Sequence, residues 1–304
     1  MEPNDPQYRK LLKKMAYRLG KLFPIKPQSI SEGAELCQIL QGHDLFTTLG
    51  KLSKSGDDPK EIVHEYQLAS KSLLQSPTRD RFYLSVKPPA LNFDPDYAEI
   101  IATTALLNGH GVHFDSHKFA QTDPTLALLE ALLSRKLPLN DSRRGWRFSL
   151  TLPSRWKRSA ADARWASANG VRVRVVKGDF EAGPGDEVDP RRGFLELVDQ
   201  LAGAVPDLAL ATHDCLLARE AIAKCQKVGV SVQLELFFGR PASAMLALAR
   251  ETGVPVGFYV PYGDTLLVYV IRDLLTNPHK LLRRDSFELF GTPKTKLARI
   301  TGAW

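Results

Sequence analysis

Three short stretches of this sequence hold residue types that could do chemistry. HFDSH places His113, Asp115 and His117 at alternate positions, so an extended backbone aims all three one way. Imidazole and carboxylate are ordinary metal ligands. With His213 added, the set could hold a metal ion for hydrolysis, although the spacing fits no standard zinc motif. VRVRVVKG puts Arg174, Val176, Lys177 and Gly178 at the end of a basic strand. Cations there would neutralise phosphate, and the glycine lets backbone approach a ligand closely. In TLLVYVIRDLLTNP, an apolar helix carries Arg272 in its middle with Asp273 directly behind it. An arginine in that setting grips an anion through charge-assisted hydrogen bonds. No Gly-rich dinucleotide motif, P-loop, nucleophile elbow or zincin motif occurs.

The elements needed to position these residues follow from the hydrophobic pattern. From residue 82 onward, apolar runs at 82–87, 112–115, 147–152, 171–176, 208–213, 230–238 and 257–262 read as strands. Helical stretches at 94–107, 123–135, 156–168, 190–203, 214–227, 240–252 and 264–283 lie between and after them. FELFG at 287–291 is the candidate eighth strand. Strand–helix alternation of this kind predicts parallel βαβ units, and eight units predict a (β/α)8 barrel of the TIM type with strands buried on both faces. In such a barrel, chemistry belongs at the C-terminal ends of the strands. Lys87, Asp115, Arg174 with Lys177, His213, Glu235 and Tyr259 all fall at or near those ends, which points to one site fed by several strands.

Before the barrel, residues 36–52 and 59–74 read as helices, so 1–78 is expected to form a helical arm and 79–304 the barrel. The first 26 residues set Leu11, Met15, Leu19 and Leu22 near one face of a helix ringed by Arg9, Lys10, Lys13, Lys14, Arg18 and Lys21. Such a basic amphipathic helix either docks on an anionic membrane surface or packs on its own domain.

Composition narrows the classes. An excess of 41 basic over 34 acidic residues is mild and suits an enzyme with a phosphate-bearing cofactor at least as well as a nucleic-acid binder. Cys37, Cys215 and Cys225 form no paired motif and fit a reducing, cytoplasmic setting. No apolar run reaches membrane-spanning length.

Five segments taken in order resemble the proline dehydrogenase family: YLSVKPPAL its S-V-K strand, HFD its I-D-x-E strand, VRVRVVKGDF its R-L-V-K-G-A-Y strand, LALATHD its A-T-H-N strand, and YVPYG with TLLVYVIRDLLTNP its last strand and helix. They span roughly residues 82–291. The resemblance implies a (β/α)8 barrel that binds FAD non-covalently. It also implies hydride removal from the carbon next to the ring nitrogen of proline or a related cyclic or secondary amine, with electrons passed on to a quinone or other acceptor. By the same resemblance Arg174, Val176, Lys177, Gly178, Thr212 and His213 would meet the flavin. Lys87 and Asp115 would belong to the substrate site, Tyr259 would pack on the substrate ring, and Arg272 would hold its carboxylate.

The chain departs from the family pattern around the substrate. Where two adjacent arginines and a glutamate are usual, it has Arg272, Asp273 and Thr276. The usual E-F-Q reads Gln233-Leu234-Glu235, and a common leucine is Phe237. One lost charge-assisted hydrogen bond costs about 1.5–3 kcal/mol, and Asp273 would repel a carboxylate. The expectation is therefore a flavin amine dehydrogenase with proline or an altered amine as substrate. The other two readings are a metal-dependent hydrolase using His113, Asp115, His117 and His213, and a barrel that binds flavin without catalysis.

Overall fold

The computed structural model describes residues 29–52, 56–74, 81–138, 147–263 and, near the C-terminus, 297, 298, 300 and 302. Its eight strands are β1 (Phe46–Lys51), β2 (Phe82–Val86), β3 (Gly111–Phe114), β4 (Phe148–Pro153), β5 (Arg172–Val176), β6 (Asp207–Ala211), β7 (Ser231–Phe237) and β8 (Val256–Tyr262). They form a closed barrel in chain order, each parallel to its neighbours, with β8 pairing back onto β1. The helices are α1 (Ile30–Gly42), α2 (Pro59–Ser72), α3 (Pro95–Leu107), α4 (Thr122–Ser134), α5 (Ser159–Ala168), α6 (Pro190–Ala202), α7 (Cys215–Lys227) and α8 (Ser243–Thr252). From α2 on, each bridges two consecutive strands. Starts are marked as physical chemistry requires: Asp58, Asp94, Asp189 and Asp214 cap the backbone N–H groups of α2, α3, α6 and α7.

The barrel begins earlier than the sequence suggests. The stretch 36–52 is not one helix. It is the end of α1, a turn with Asp44 at φ 66°, and then β1. β1 supplies the strand that FELFG was expected to give, so the barrel closes without it, and the boundary at 78/79 does not separate arm from barrel. Residues 287–291, the stretch 264–283 and the basic helix of residues 1–26 lie outside the described residues.

Strand side chains alternate, and the alternation sorts them by chemistry. Outward positions such as Phe82, Leu84, Val112, Phe114, Leu150, Val173, Val175, Leu208, Leu210, Leu234, Phe258 and Val260 form one apolar core with the helices. Inward positions are largely polar: Thr48, Ser85, His113, Ser149, Thr151, Arg172, Arg174, Gln233 and Glu235 are all buried. The strands are buried on both faces as expected, but the inner face is polar where the sequence suggested apolar side chains. Here the lumen that usually holds packed aliphatic side chains holds hydrogen bonds and ion pairs instead.

The helix α1 packs on β1, β8 and α2. Its Gln41 side chain donates to Thr47 Oγ1 at 2.8 Å, fixing the helix to the outer face of β1. On the inner face, Gly50 makes room for Tyr259: a Cβ on Gly50 would lie 2.1 Å from the tyrosine oxygen and 2.5 Å from the ring carbon bearing it. Gly50→Ala is therefore expected to displace the Tyr259 ring and cost about 1–3 kcal/mol in urea denaturation. Most of that loss should vanish in a Tyr259→Ala background, as a double-mutant cycle would read.

Candidate active site at the C-terminal mouth of the barrel

At the centre of the lumen stands Arg174, with only 4% of its surface exposed. Its Nη1 donates to Asp115 Oδ1 at 3.2 Å, its Nη2 lies 2.6 Å from Glu235 Oε2, and Thr48 Oγ1 is 3.4 Å from Nη2. Its Nε is buried with no hydrogen-bond partner. A buried guanidinium held by two carboxylates avoids the several kcal/mol that an unpaired buried charge costs.

Asp115, just past β3, gathers donors from four strands. Besides Arg174 it accepts from Ser85 Oγ on β2 (2.8 Å) and Tyr259 Oη on β8 (3.1 Å), and His113 Nε2 lies 3.5 Å away. Burial alone would raise its pKa, but the His113 contact and the charges of Arg174 and Lys87 hold it well below the usual carboxylate range. Burial likewise disfavours ionised Glu235, and Arg174 and Arg172 bring it below its ordinary value. Tyr259 moves the other way: burial and the Asp115 charge raise it well above a free tyrosine, so it remains a donor.

One step deeper, Arg172 repeats the pattern two residues earlier on β5. It meets Asp207 at 2.5 Å, Glu235 Oε1 at 3.2 Å and Gln233 Oε1 at 3.2 Å. Asp207, Arg172, Glu235, Arg174 and Asp115 thus make one charged ladder along the lumen.

The ladder ends beneath a cavity of about 1180 Å³, lined by Lys87, Asp115, His117, Arg174, Val176, Lys177, Gly178, Phe180, Thr212, His213, Phe237 and Tyr259, among others. Gly178 has φ 93°, and a Cβ there would come within 2.7 Å of Pro153 Cβ, so only glycine turns the chain at this wall. Lys177 pairs with Asp214 at 2.8 Å. Thr212 Oγ1 accepts the Asp214 N–H (3.1 Å). The Phe237 ring stacks on Tyr259, centroids 5.6 Å apart at 14°. The amino group of Lys87 is lowered from its ordinary pKa by burial, against the pull of Asp115.

Twelve of the residues singled out from sequence come together here: Lys87, Asp115, His117, Arg174, Val176, Lys177, Gly178, Thr212, His213, Glu235, Phe237 and Tyr259. Arg272 and Asp273 lie outside the described residues. Arg174, Glu235 and Tyr259 are not at strand ends as expected. They are inside β5, β7 and β8, pointing into the lumen. Sequence reading missed Arg172, Ser85, Thr48 and the partners of His113, although polar residues two apart in VRVRVV, FSLTLP and VQLELF mark an inward polar face.

The metal reading does not survive the geometry. Both ring nitrogens of His113 are engaged, by Ser149 Oγ at 2.8 Å and Thr151 Oγ1 at 2.6 Å. Those of His213 are engaged too: Nε2 accepts the Phe237 N–H (2.9 Å), which leaves the proton on Nδ1 to donate to the Pro241 carbonyl (3.0 Å). Among the described residues, no three His, Cys, Asp or Glu side chains converge as a metal site would require. The three cysteines are free. Burial pushes Cys37 up to about 12 and Cys225 up to about 11, so neither is a ready thiolate.

No protein-family model matches the chain, and no curated protein matches it. Solved structures do. Proline utilization A (PutA) from Bdellovibrio bacteriovorus, inactivated by N-propargylglycine, aligns over 91% of this chain and 35% of its own, with TM-score 0.70 and 15% identity. PutA from Corynebacterium freiburgense aligns over 99% and 35% (TM-score 0.64, 14% identity). A Bradyrhizobium japonicum PutA variant aligns over 85% and 31% (TM-score 0.63, 19% identity). The class is therefore a closed (β/α)8 barrel with a mouth cavity over a polar lumen. More particularly, it is the barrel fold seen in the PutA structures, and the chain spans about a third of the length of those proteins.

Neutral His113 makes stability pH-dependent. Burial, then the Arg174 charge, lowers it from 6.5 to about 4, against the opposing Asp115 and Glu235. Its folded value lies below its unfolded one, so the stabilisation is present above pH 6.5 and lost as pH falls towards 4. The loss should reach about 3 kcal/mol over that window. Urea denaturation of the wild type should show this limb. His113→Asn should flatten it, and parallel pH profiles for the two proteins would refute the assignment.

Proposed function

We propose that the protein is a flavin-dependent oxidoreductase of the proline dehydrogenase type, acting on the C–N bond of proline or a related cyclic or secondary amine. The observation that carries the reading is the Arg174–Asp115–Tyr259 cluster under a mouth cavity larger than the roughly 300–1,000 Å³ of ordinary small-molecule sites. The ordered motif resemblance and the PutA-like fold support it.

The residues present fit FAD. The cavity accommodates more than a small amine, the orphaned Nε of Arg174 is a buried donor without a partner, and Gly178 lets backbone approach closely. Arg174, Val176, Lys177, Gly178, Thr212 and His213 would hold the cofactor, and Phe180 would wall it. Bound flavin supplies the hydride acceptor.

The chain's own contribution is placement. Asp115, kept ionised, offers a negative partner to a substrate ammonium, and its hydrogen bond fixes the Tyr259 ring beside it. Lys87, lowered by burial, is the lining group suited to exchange a proton with the substrate nitrogen. His213 ties the chain beyond β7 through Phe237 and Pro241, which steadies the aromatic wall. Reaction then depends on holding the donor carbon in position more than on strong acid–base catalysis. Electrons leave to a quinone or other acceptor. No described helix is long and apolar enough to cross a membrane; the basic, amphipathic sequence of residues 1–26 is the proposed point of contact with a membrane quinone.

Purified protein is expected to show a flavin absorption spectrum, as isolated or after incubation with FAD, and to be bleached anaerobically by a cyclic secondary amine. A protein that stays colourless with FAD refutes the proposal. Bleaching by pyrrolidine but not by proline would assign the Arg272–Asp273 departure to an altered substrate, and bleaching by proline would exclude that.

A further inference from the structure

Glu235 sits midway along the charged ladder, with one oxygen on each of two arginines. Oε2 lies 2.6 Å from Arg174 and Oε1 3.2 Å from Arg172. It is 5% exposed and comes from the inward face of β7, between Gln233 and Phe237. Arg174 would be balanced by Asp115 alone, yet it is held by a second carboxylate that is closer. Arg172 in turn has Asp207 at 2.5 Å as its own partner. The ladder therefore contains three carboxylates for two guanidiniums, and Glu235, shared between the two arginines, is itself part of the cavity floor.

We propose that Glu235 sets the net charge that Arg174 presents to the cavity, and thereby the reduction potential of a flavin bound there. This rests on the flavin reading above. Reduction adds negative charge to the flavin, and a free guanidinium below it would favour that charge. Glu235 cancels much of the field in a low-dielectric lumen where charges act strongly. The wild-type barrel thus keeps the bound flavin harder to reduce than Arg174 alone would make it. Its action on the flavin runs through Arg174, so it is a positioning and charge-setting group.

The test is a spectroelectrochemical titration of the FAD-loaded protein. Glu235→Gln, which keeps shape and hydrogen-bonding capacity but removes the charge, should shift the two-electron equilibrium about tenfold towards reduced flavin, roughly 30 mV upward. Glu235→Asp, which keeps the charge, should stay close to wild type. A purely structural role predicts instead that both variants lower the melting temperature and the FAD affinity without moving the potential. Should Glu235→Gln fail to fold, Asp207→Asn at the more open end of the ladder provides the second measurement. It removes one anion and draws Glu235 towards Arg172, so it should shift the potential upward by a smaller step. Flavin bound in the variants with an unmoved or lowered potential overturns this proposal and leaves the functional one standing. Failure of the wild type to bind FAD overturns both.

Discussion

A guanidinium inside a protein must be paired, and in this barrel that requirement organises everything around Arg174. Its partners come from β3 and β7, and the partner on β3 is held in turn by Ser85 of β2 and Tyr259 of β8. Four strands that are not all neighbours are thereby set at fixed distances across the lumen. Removing one partner of such a pair typically costs about 3–5 kcal/mol, because the remaining charge stays buried. The same bonds that give the barrel its cross-section also fix the floor of the cavity, so stability and site geometry share one set of contacts.

The division of labour between the two strand faces makes this arrangement affordable. Aliphatic and aromatic side chains on the outward face supply the hydrophobic stabilisation against the helices, which leaves the inward face free to be polar. Gly50 shows how tightly the inner layer is fitted: a single methyl group would strike the ring whose hydroxyl anchors Asp115.

Much of this was legible in the sequence, and the failures have physical reasons. Seven strands and six of the helices between them lie close to where hydrophobic runs and turn residues put them. β1 was hidden because Leu36, Leu40, Leu45, Leu49 and Leu52 recur at nearly helical spacing across a turn, which outweighed the strand-favouring Phe46, Thr47 and Thr48. The residues that line the cavity stood out through their recurrence at successive strand ends and through motif order, since a lone lysine or aspartate after a strand says little. The depth of Arg174 and Glu235 was misjudged because rim and lumen differ by only a residue or two along a strand. Contacts such as His113 with Ser149 and Thr151 join strands far apart in the chain, and no local pattern announces them.

The seam between β8 and β1 is already roofed by α1, which packs on both strands and is tied to β1 through Gln41 and Thr47. Because that join links strands far apart in the chain, it bears a large loop-closure cost, and the packing of α1 across it helps to meet that cost.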